Sequence, residues 1–256
     1  MHDEDVVLLE NRKVNDEYYK FSFRSKRISR GVKPGQFIHV KINSCQDPFL
    51  RRPFSYYRVE GDLVEVLYKI LGRGTSLLAS FKKGDGLQVL GPLGREFSRE
   101  VGKKKRILVG GGVGVPPLVF LAERYGCYRF FIGTKSQREV LPVREIQKFR
   151  GKVFYTTEDD SYGAKGLVTQ LLEKLLREKG SNPDDYFIQT CGPTGMMKRV
   201  VEIADRFGVA GEASWEESMA CGVGVCLGCM VLTEKGWTPS CTEGPVFQFD
   251  EMAKHD

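Results

Sequence analysis

The chain has 256 residues, 41% hydrophobic and 28% charged, with a formal net charge of +6. That is ordinary soluble composition, with apolar mass for one large domain or two smaller ones. No apolar run approaches the roughly 18 residues of a membrane span, and the acidic start MHDEDVVLLENRKV does not read as a secretory signal, so a cytoplasmic chain without membrane contact is expected. The basic residues are scattered. Their one cluster, KKKR at 103–106, reads as a solvated strand entrance. A nucleic-acid face would need a basic stripe and a recognisable module, and no nucleic-acid partner is expected.

Residues 1–99 read as antiparallel β structure. YYKFSF, GQFIHVKI, LVEVLYKIL and GLQVLG alternate with Gly and Pro turn signals, the spacing of a small barrel or sandwich. Residues 100–211 change period. RILVGGGVG is an apolar strand entering a glycine turn, and PPLVFLAERY a helix. YRFFIGT and KVFYTT are strands flanking the helical LPVREIQKFR. LVTQLLEKLLREKG is an amphipathic helix ending at Gly180, DYFIQTCGP a strand, and GMMKRVVEIADRFG a helix ending at Gly208. Strands alternating with helices predict a doubly wound α/β domain with a parallel sheet. Residues 212–256 lack a long periodic segment and carry four of the seven cysteines; they form a small C-terminal region.

Three motifs carry chemistry. RRPFS at 51–55 suits either an edge turn or a flavin site. In the second reading Arg52 meets a phosphate, Ser55 hydrogen-bonds the ring, and the backbone of Pro53 and Phe54 lies against it. LYKILGRGT at 67–75 follows, with Leu67, Tyr68, Lys69, Gly74 and Thr75. Its glycines free backbone amides for phosphate oxygens, and Thr75 adds a hydroxyl. VGGGVGVPP at 109–117 is the second motif. Gly110, Gly111, Gly112, Val113 and Gly114 join a strand to a helix in the arrangement that seats a pyrophosphate on a helix N-terminus. It departs from G-x-G-x-x-G, with no third glycine at the usual spacing, and a plain tight turn is the alternative.

The third motif is CGVGVCLGC at 221–229 with SC at 240–241. Clustered cysteines in a chain expected to be cytosolic point to metal or redox chemistry rather than disulfides. Cys221, Cys226, Cys229 and Cys241 are separated by gaps of four, two and eleven residues. Four then two is the spacing of plant-type 2Fe-2S loops, whereas structural zinc usually takes two short cysteine pairs from separate knuckles. Gly222, Gly224 and Gly228 suit a loop whose amides turn toward sulfurs. Zinc and a disulfide pair are the alternatives. Cys45 and Cys127 read as packing residues. Of the histidines His2, His39 and His255 none lies in a motif, and His39, in a strand-like run, reads as structural.

Arg-Pro-x-Ser followed by Tyr-Lys-x-x-Gly-x-Gly-Thr resembles the FAD-binding barrel of the ferredoxin reductase superfamily, and GDGLQVLGPLG resembles that barrel's last strand and exit. VGGGVGVPP and TCGP at 190–193 are similar to the nicotinamide domain of the same superfamily. That likeness implies Gly192 and Pro193 at the nucleotide and Cys191 near the nicotinamide C4; a buried strand cysteine is the alternative. The tail EESMACGVGVCLGCMV…SCTEGPVF resembles the electron-transfer subunit of the NAD-dependent, heteromeric dihydroorotate dehydrogenase.

The resemblance implies FAD, a 2Fe-2S cluster and NAD(H) as cofactors. It implies a separate FMN-containing catalytic subunit that oxidises dihydroorotate in pyrimidine biosynthesis, in a heterotetramer of two of each. Nicotinamides exchange hydrides and such clusters single electrons, so a flavin belongs between them. Two relatives share the layout: the small subunit of a bifurcating NADH-dependent ferredoxin:NADP oxidoreductase and a sulfide dehydrogenase subunit. They typically carry aspartate as first cluster ligand, where this chain has Cys221. A zinc-binding scaffold without enzymatic activity is the reading from another class.

Overall fold

The computed structural model describes residues 1–42, 47–146, 148–178 and 182–253. Cys45, Gly180 and His255 lie outside them. Seven strands build the N-terminal half: β1 (His2–Lys13), β2 (Tyr18–Arg24), β3 (Phe37–Lys41), β4 (Arg52–Ser55), β5 (Arg58–Glu60), β6 (Leu63–Lys69) and β7 (Gly86–Leu93). They form one antiparallel sheet ordered β4-β3-β7-β1-β2-β6-β5. This half-barrel wraps a core that includes Phe21, Phe23, Ile38, Val40, Val64, Val66 and Val89. The acidic start is part of it. β1 runs between β7 and β2, with Val6 and Leu8 inward and their neighbours toward solvent. Two helices complete the half. α1 (Lys26–Ser29) is capped by the Ser25 hydroxyl, which accepts from the Ile28 amide at 3.0 Å. α2 (Arg73–Ser80) opens at the GRGT turn.

The C-terminal half is the expected α/β unit. β8 (Lys105–Gly111), β9 (Arg129–Thr134), β10 (Lys152–Thr157), β11 (Ala164–Lys165), β12 (Tyr186–Cys191) and β13 (Gly211–Ser214) pair in parallel, in the order β11-β10-β9-β8-β12-β13. α3 (Val115–Tyr125), α4 (Val143–Ile146), α5 (Val168–Arg177) and α6 (Thr194–Phe207) connect them. α6 ends at Gly208 in the left-handed conformation, the usual helix stop. A further pair, β14 (Met230–Thr233) and β15 (Gly236–Pro239), forms a hairpin followed by α7 (Ser240–Glu243). The last strand, β16 (Val246–Gln248), returns antiparallel to β13 with Val246 opposite Ser214. The expected division at 211/212 thus falls inside β13, and the cysteine-bearing segment lies between two paired strands of the nucleotide sheet. No helix among the described residues is long and apolar enough to cross a membrane.

Two expectations met tertiary contacts instead. Arg106, the last residue of KKKR, is buried. It donates to Gln189 at 2.6 Å and to the Arg99 carbonyl at 2.7 Å, so it ties β8 to β12 and to the barrel exit rather than facing water. LPVREIQKFR gives only the short α4, where Glu145 is drawn into the joint between the halves. Its buried carboxylate meets Arg12 at 3.1 Å, Arg58 at 3.4 Å and Lys20 at 3.8 Å, all from the barrel. Tyr57 donates to it at 3.0 Å, and Arg58 also grips Glu123 of α3 through Nε at 2.8 and 2.9 Å.

Candidate functional site

The flavin motifs converge on one cleft of about 330 Å3. Arg52, Pro53, Phe54 and Ser55 line it from β4, which pairs with β3 at the end of the described sheet. Leu67, Tyr68 and Lys69 come from the end of β6, and Gly74 and Thr75 from the first turn of α2. The Arg52 guanidinium crosses Gly74, with Nε 2.8 Å from where a Cβ would stand. It donates to the Leu50 carbonyl and faces an open cleft where a phosphate could replace that contact. Thr75 has a local task. Its hydroxyl accepts from the Leu71 and Gly72 amides at 2.9 and 3.2 Å and donates to the Gly72 carbonyl at 3.0 Å. The turn therefore offers backbone amides more than the hydroxyl. Tyr68 and Lys69 lend backbone, because Tyr68 donates to Asn11 at 3.1 Å and Lys69 pairs with Glu139 at 3.1 Å.

The nicotinamide motifs approach the same cleft from the other half, and Val113 lines it. β8 and β12 end side by side, with Cys191 opposite Gly110. Gly111 closes β8, Gly112–Gly114 form one tight turn, and α3 follows with proline in its first turn. A Cβ on Gly114 would lie 2.2 Å from the Cys191 carbonyl carbon, so the two loops touch only because position 114 is glycine. Gly192 and Pro193 lead into α6. Val113, at the tip of the turn, reaches the flavin cleft.

Glu216, which no motif flags, joins these parts. Its Oε1 accepts from the Ser55 hydroxyl at 3.1 Å and lies 3.6 Å from the Cys191 thiol. The side chain is exposed to the cleft; desolvation by the cleft walls, opposed by the Ser55 hydrogen bond, raises its carboxyl. Burial, then the neighbouring Glu216 charge, pushes the Cys191 thiol well above its ordinary value. Cys191 is therefore a neutral thiol rather than a thiolate nucleophile. No spacing rule announces Glu216; the only sequence signal is an acid shortly before the cysteine loop.

The four clustered cysteines also come together. Cys229 and Cys241 are buried, packed with Phe37, Leu93 and Met219; Cys221 is half-buried and Cys226 exposed. Backbone amides turn onto the sulfurs. Val223 and Cys226 donate to Cys221 Sγ, both at 3.4 Å. Gly224 donates to Cys241 Sγ at 3.2 Å and Gly228 to Cys226 Sγ at 3.5 Å. Burial opposes ionisation of Cys221, but these amides outweigh it and hold the thiol at about 6. Cys241 is pushed up to about 12 by burial and by the adjacent Cys229 thiol.

Cys221 lies beside Cys226 and Cys241 beside Cys229, and Cys221 is near enough to raise Cys241 as well. Among the described residues, no three His, Cys, Asp or Glu side chains converge as a single metal ion requires. The gaps of four and two residues, with backbone amides turned onto the sulfurs, suit a two-iron cluster. His39 also lies here. Burial, then Arg51, lowers it to about 4, against the pull of the nearby Cys221 backbone. Cys127 is half-buried away from all three sites, and burial pushes it up to about 12.

An antiparallel flavin half-barrel joined to a nucleotide-binding α/β unit defines a flavin- and NAD-dependent reductase of the ferredoxin reductase type. The solved ferredoxin NADP+ reductase of Neisseria gonorrhoeae, with bound FAD and NADP, superposes at a TM-score of 0.65 over 81% of this chain and 92% of that one, at 16% identity. A structure of the NADH-dependent reduced ferredoxin-NADP oxidoreductase superposes at 0.84 over 97% and 89%, at 28% identity. The family model for the iron-sulfur cluster binding domain of dihydroorotate dehydrogenase B matches residues 216–253. The dihydroorotate dehydrogenase B (NAD(+)) electron transfer subunit of Caldanaerobacter subterraneus subsp. tengcongensis is 38% identical over 96% of both chains. That of Fusobacterium nucleatum is 36% identical over 95% of this chain and 96% of its own. The chain belongs to this family of electron transfer subunits.

Proposed function

We propose that this chain takes electrons from the FMN of a dihydroorotate-oxidising partner subunit and delivers them, through a 2Fe-2S cluster and FAD, to NAD+. It does so in the cytoplasm, for pyrimidine biosynthesis, in a heterotetramer of two of each subunit. The observation that carries the reading is the Ser55–Glu216–Cys191 contact. It joins the flavin motif, the cysteine-bearing segment and the nicotinamide strand at one point, as a relay between three cofactors requires.

FAD, once bound, supplies the exchange between two-electron hydride chemistry and single electrons. Arg52 and the α2 amides hold its phosphates, and Ser55 faces its ring. Gly110, Gly111, Gly112, Val113 and Gly114 with Gly192 and Pro193 seat the dinucleotide. Cys191 packs neutral where the nicotinamide enters, with Glu216 between it and Ser55. Cys221, Cys226, Cys229 and Cys241 would hold the cluster, which would supply single-electron transfer. Val225 and Leu227, 79% and 58% exposed, flank Cys226 at the outer edge of the loop. Exposed apolar side chains beside a redox centre suit a protein contact, and this edge is where the catalytic subunit would dock.

The bifurcating-oxidoreductase reading has support in the 0.84 superposition. The full-length identity of 38% and the cysteine at 221 favour the pyrimidine role. The test uses the isolated chain. It should be yellow-brown and oxidise NADH with artificial acceptors, yet leave dihydroorotate untouched, because that oxidation belongs to the FMN-bearing partner. Dihydroorotate oxidation without the partner would overturn this division of labour. A colourless preparation holding zinc would favour the scaffold instead.

A further inference from the structure

His39 sits on β3, with Pro53 of the flavin strand on one side and Leu90 of β7 on the other. Side chains alternate across a strand. Ile38 and Val40 enter the barrel core. Phe37 and His39 therefore share the opposite face, and Phe37 packs there against Cys229 and Cys241. The His39 ring stands edge-on to Phe37, with centroids 5.9 Å apart and planes at 72°, and it is fully buried.

The cluster loop rests directly on this ring. A Cβ on Gly222 would lie 2.8 Å from His39 Nδ1 and 3.0 Å from Cε1. Gly222 has φ +72°, so the turn is left-handed and its backbone can approach only without a side chain. Neither ring nitrogen meets hydrogen-bond geometry with any partner among the described residues; the Cys221 backbone lies near enough for at most a weak, poorly aligned contact. A histidine ring carries at least one N–H in any state. A buried donor is costly to leave unmade, and a purely packing position would take a leucine or phenylalanine at no such cost.

We propose that His39 is a positioning residue of the electron path, whose ring N–H serves the sulfur of the bound cluster at the Cys221–Gly222 turn while its strand holds that turn beside Pro53. The inference rests on Cys221, Cys226, Cys229 and Cys241 being the cluster ligands. An N–H given to cluster sulfur stabilises the more negative, reduced form and raises its potential. His39 thereby helps set how electrons distribute between cluster and FAD.

The experiment is a redox titration of the full chain, following the reduced cluster by electron paramagnetic resonance, with iron and FAD content measured alongside. His39→Ala should keep both cofactors, shift the resonance and lower the cluster potential. A tenfold change in the one-electron equilibrium with FAD corresponds to about 59 mV, and a shift of that order is expected. His39→Gln, which can still donate, should recover most of it. An unchanged potential in fully loaded His39→Ala would overturn the proposal. So would equal shifts in both variants, which would mean packing alone, or loss of iron from both, which would mean a role in folding the loop. Wild-type chain without iron would fail the ligand assignment itself, and the proposal with it, before any variant is compared.

Discussion

Removing the Glu145 carboxylate tests what holds the two halves in register. Glu145 is buried at the joint and faces Arg12, Arg58 and Lys20. Breaking a buried ion pair by deleting one partner costs about 3–5 kcal/mol, since the opposite charge is left uncompensated. Here each cation keeps a second carboxylate: Arg12 has Glu10 at 2.6 Å, Arg58 has Glu123 at 2.5 Å and Lys20 has Glu65 at 2.8 Å. That places Glu145→Ala at the low end, about 3 kcal/mol, or a fall in melting temperature of about 6–12 °C. Thermal unfolding at pH 7, followed by circular dichroism, measures it. A fall of less than about 2 °C would refute the reasoning, as the network would then be no more than a surface ion pair.

The acid side of the stability profile carries the same signature. Burial raises the Glu145 carboxyl, but Lys20, Arg12 and Tyr57 outweigh it, and the group sits below its ordinary 4.5. A carboxyl lowered by folding contributes stability above its unfolded value and loses it as pH falls through the folded one. Wild type should therefore lose its advantage over Glu145→Ala below about pH 4.

The remaining predictions concern the cofactors. Cys226→Ala should lose the cluster and keep FAD, and retention of two irons on iron and sulfide analysis would remove Cys226 from the ligand set. Arg52→Ala takes a charged partner from a phosphate, at about 2–3 kcal/mol, or about a hundredfold in FAD affinity. Ser55→Ala should instead shift the flavin potential at nearly full FAD content, and gel filtration with flavin quantitation separates the two. Gly114→Ala drives a methyl group into the Cys191 backbone, which should destabilise by about 1–3 kcal/mol and raise the KM for NADH at least several-fold. Unchanged NADH kinetics would mean that the β8–α3 turn does not seat the dinucleotide.

What could be read from the chain is what physics writes locally. Gly112–Gly114 and the cysteine loop are short and defined by spacing, so their residue types alone announce a turn or a ligand set. The helix of residues 194–207 combines apolar periodicity with a glycine stop, and both are local. β1 is faint within the β region because a strand that is half solvent-facing needs only Val6 and Leu8 to anchor it, and its acids drown that alternation. Arg106 and Glu145 look like surface charges until the opposite half supplies their partners. Glu216 and His39 are harder still, since each acquires its role only where three separate segments meet, and no spacing within any one segment records that.

β13 and β16 pair antiparallel, Ser214 against Val246, and the ladder extends one step further as the Trp215 amide donates to the Pro245 carbonyl at 2.7 Å. In topological terms the whole cysteine segment is an oversized turn on a β-hairpin. Both of its ends are clamped within a few ångströms of each other, so closing that long loop adds little beyond what the sheet already fixes. Iron loss would slacken the turn without unpicking the strands that carry Cys191. The same geometry lets the segment vary in its reach while its ends stay fixed beside the nicotinamide strand, so the outlet for single electrons is hung on the sheet that handles hydrides.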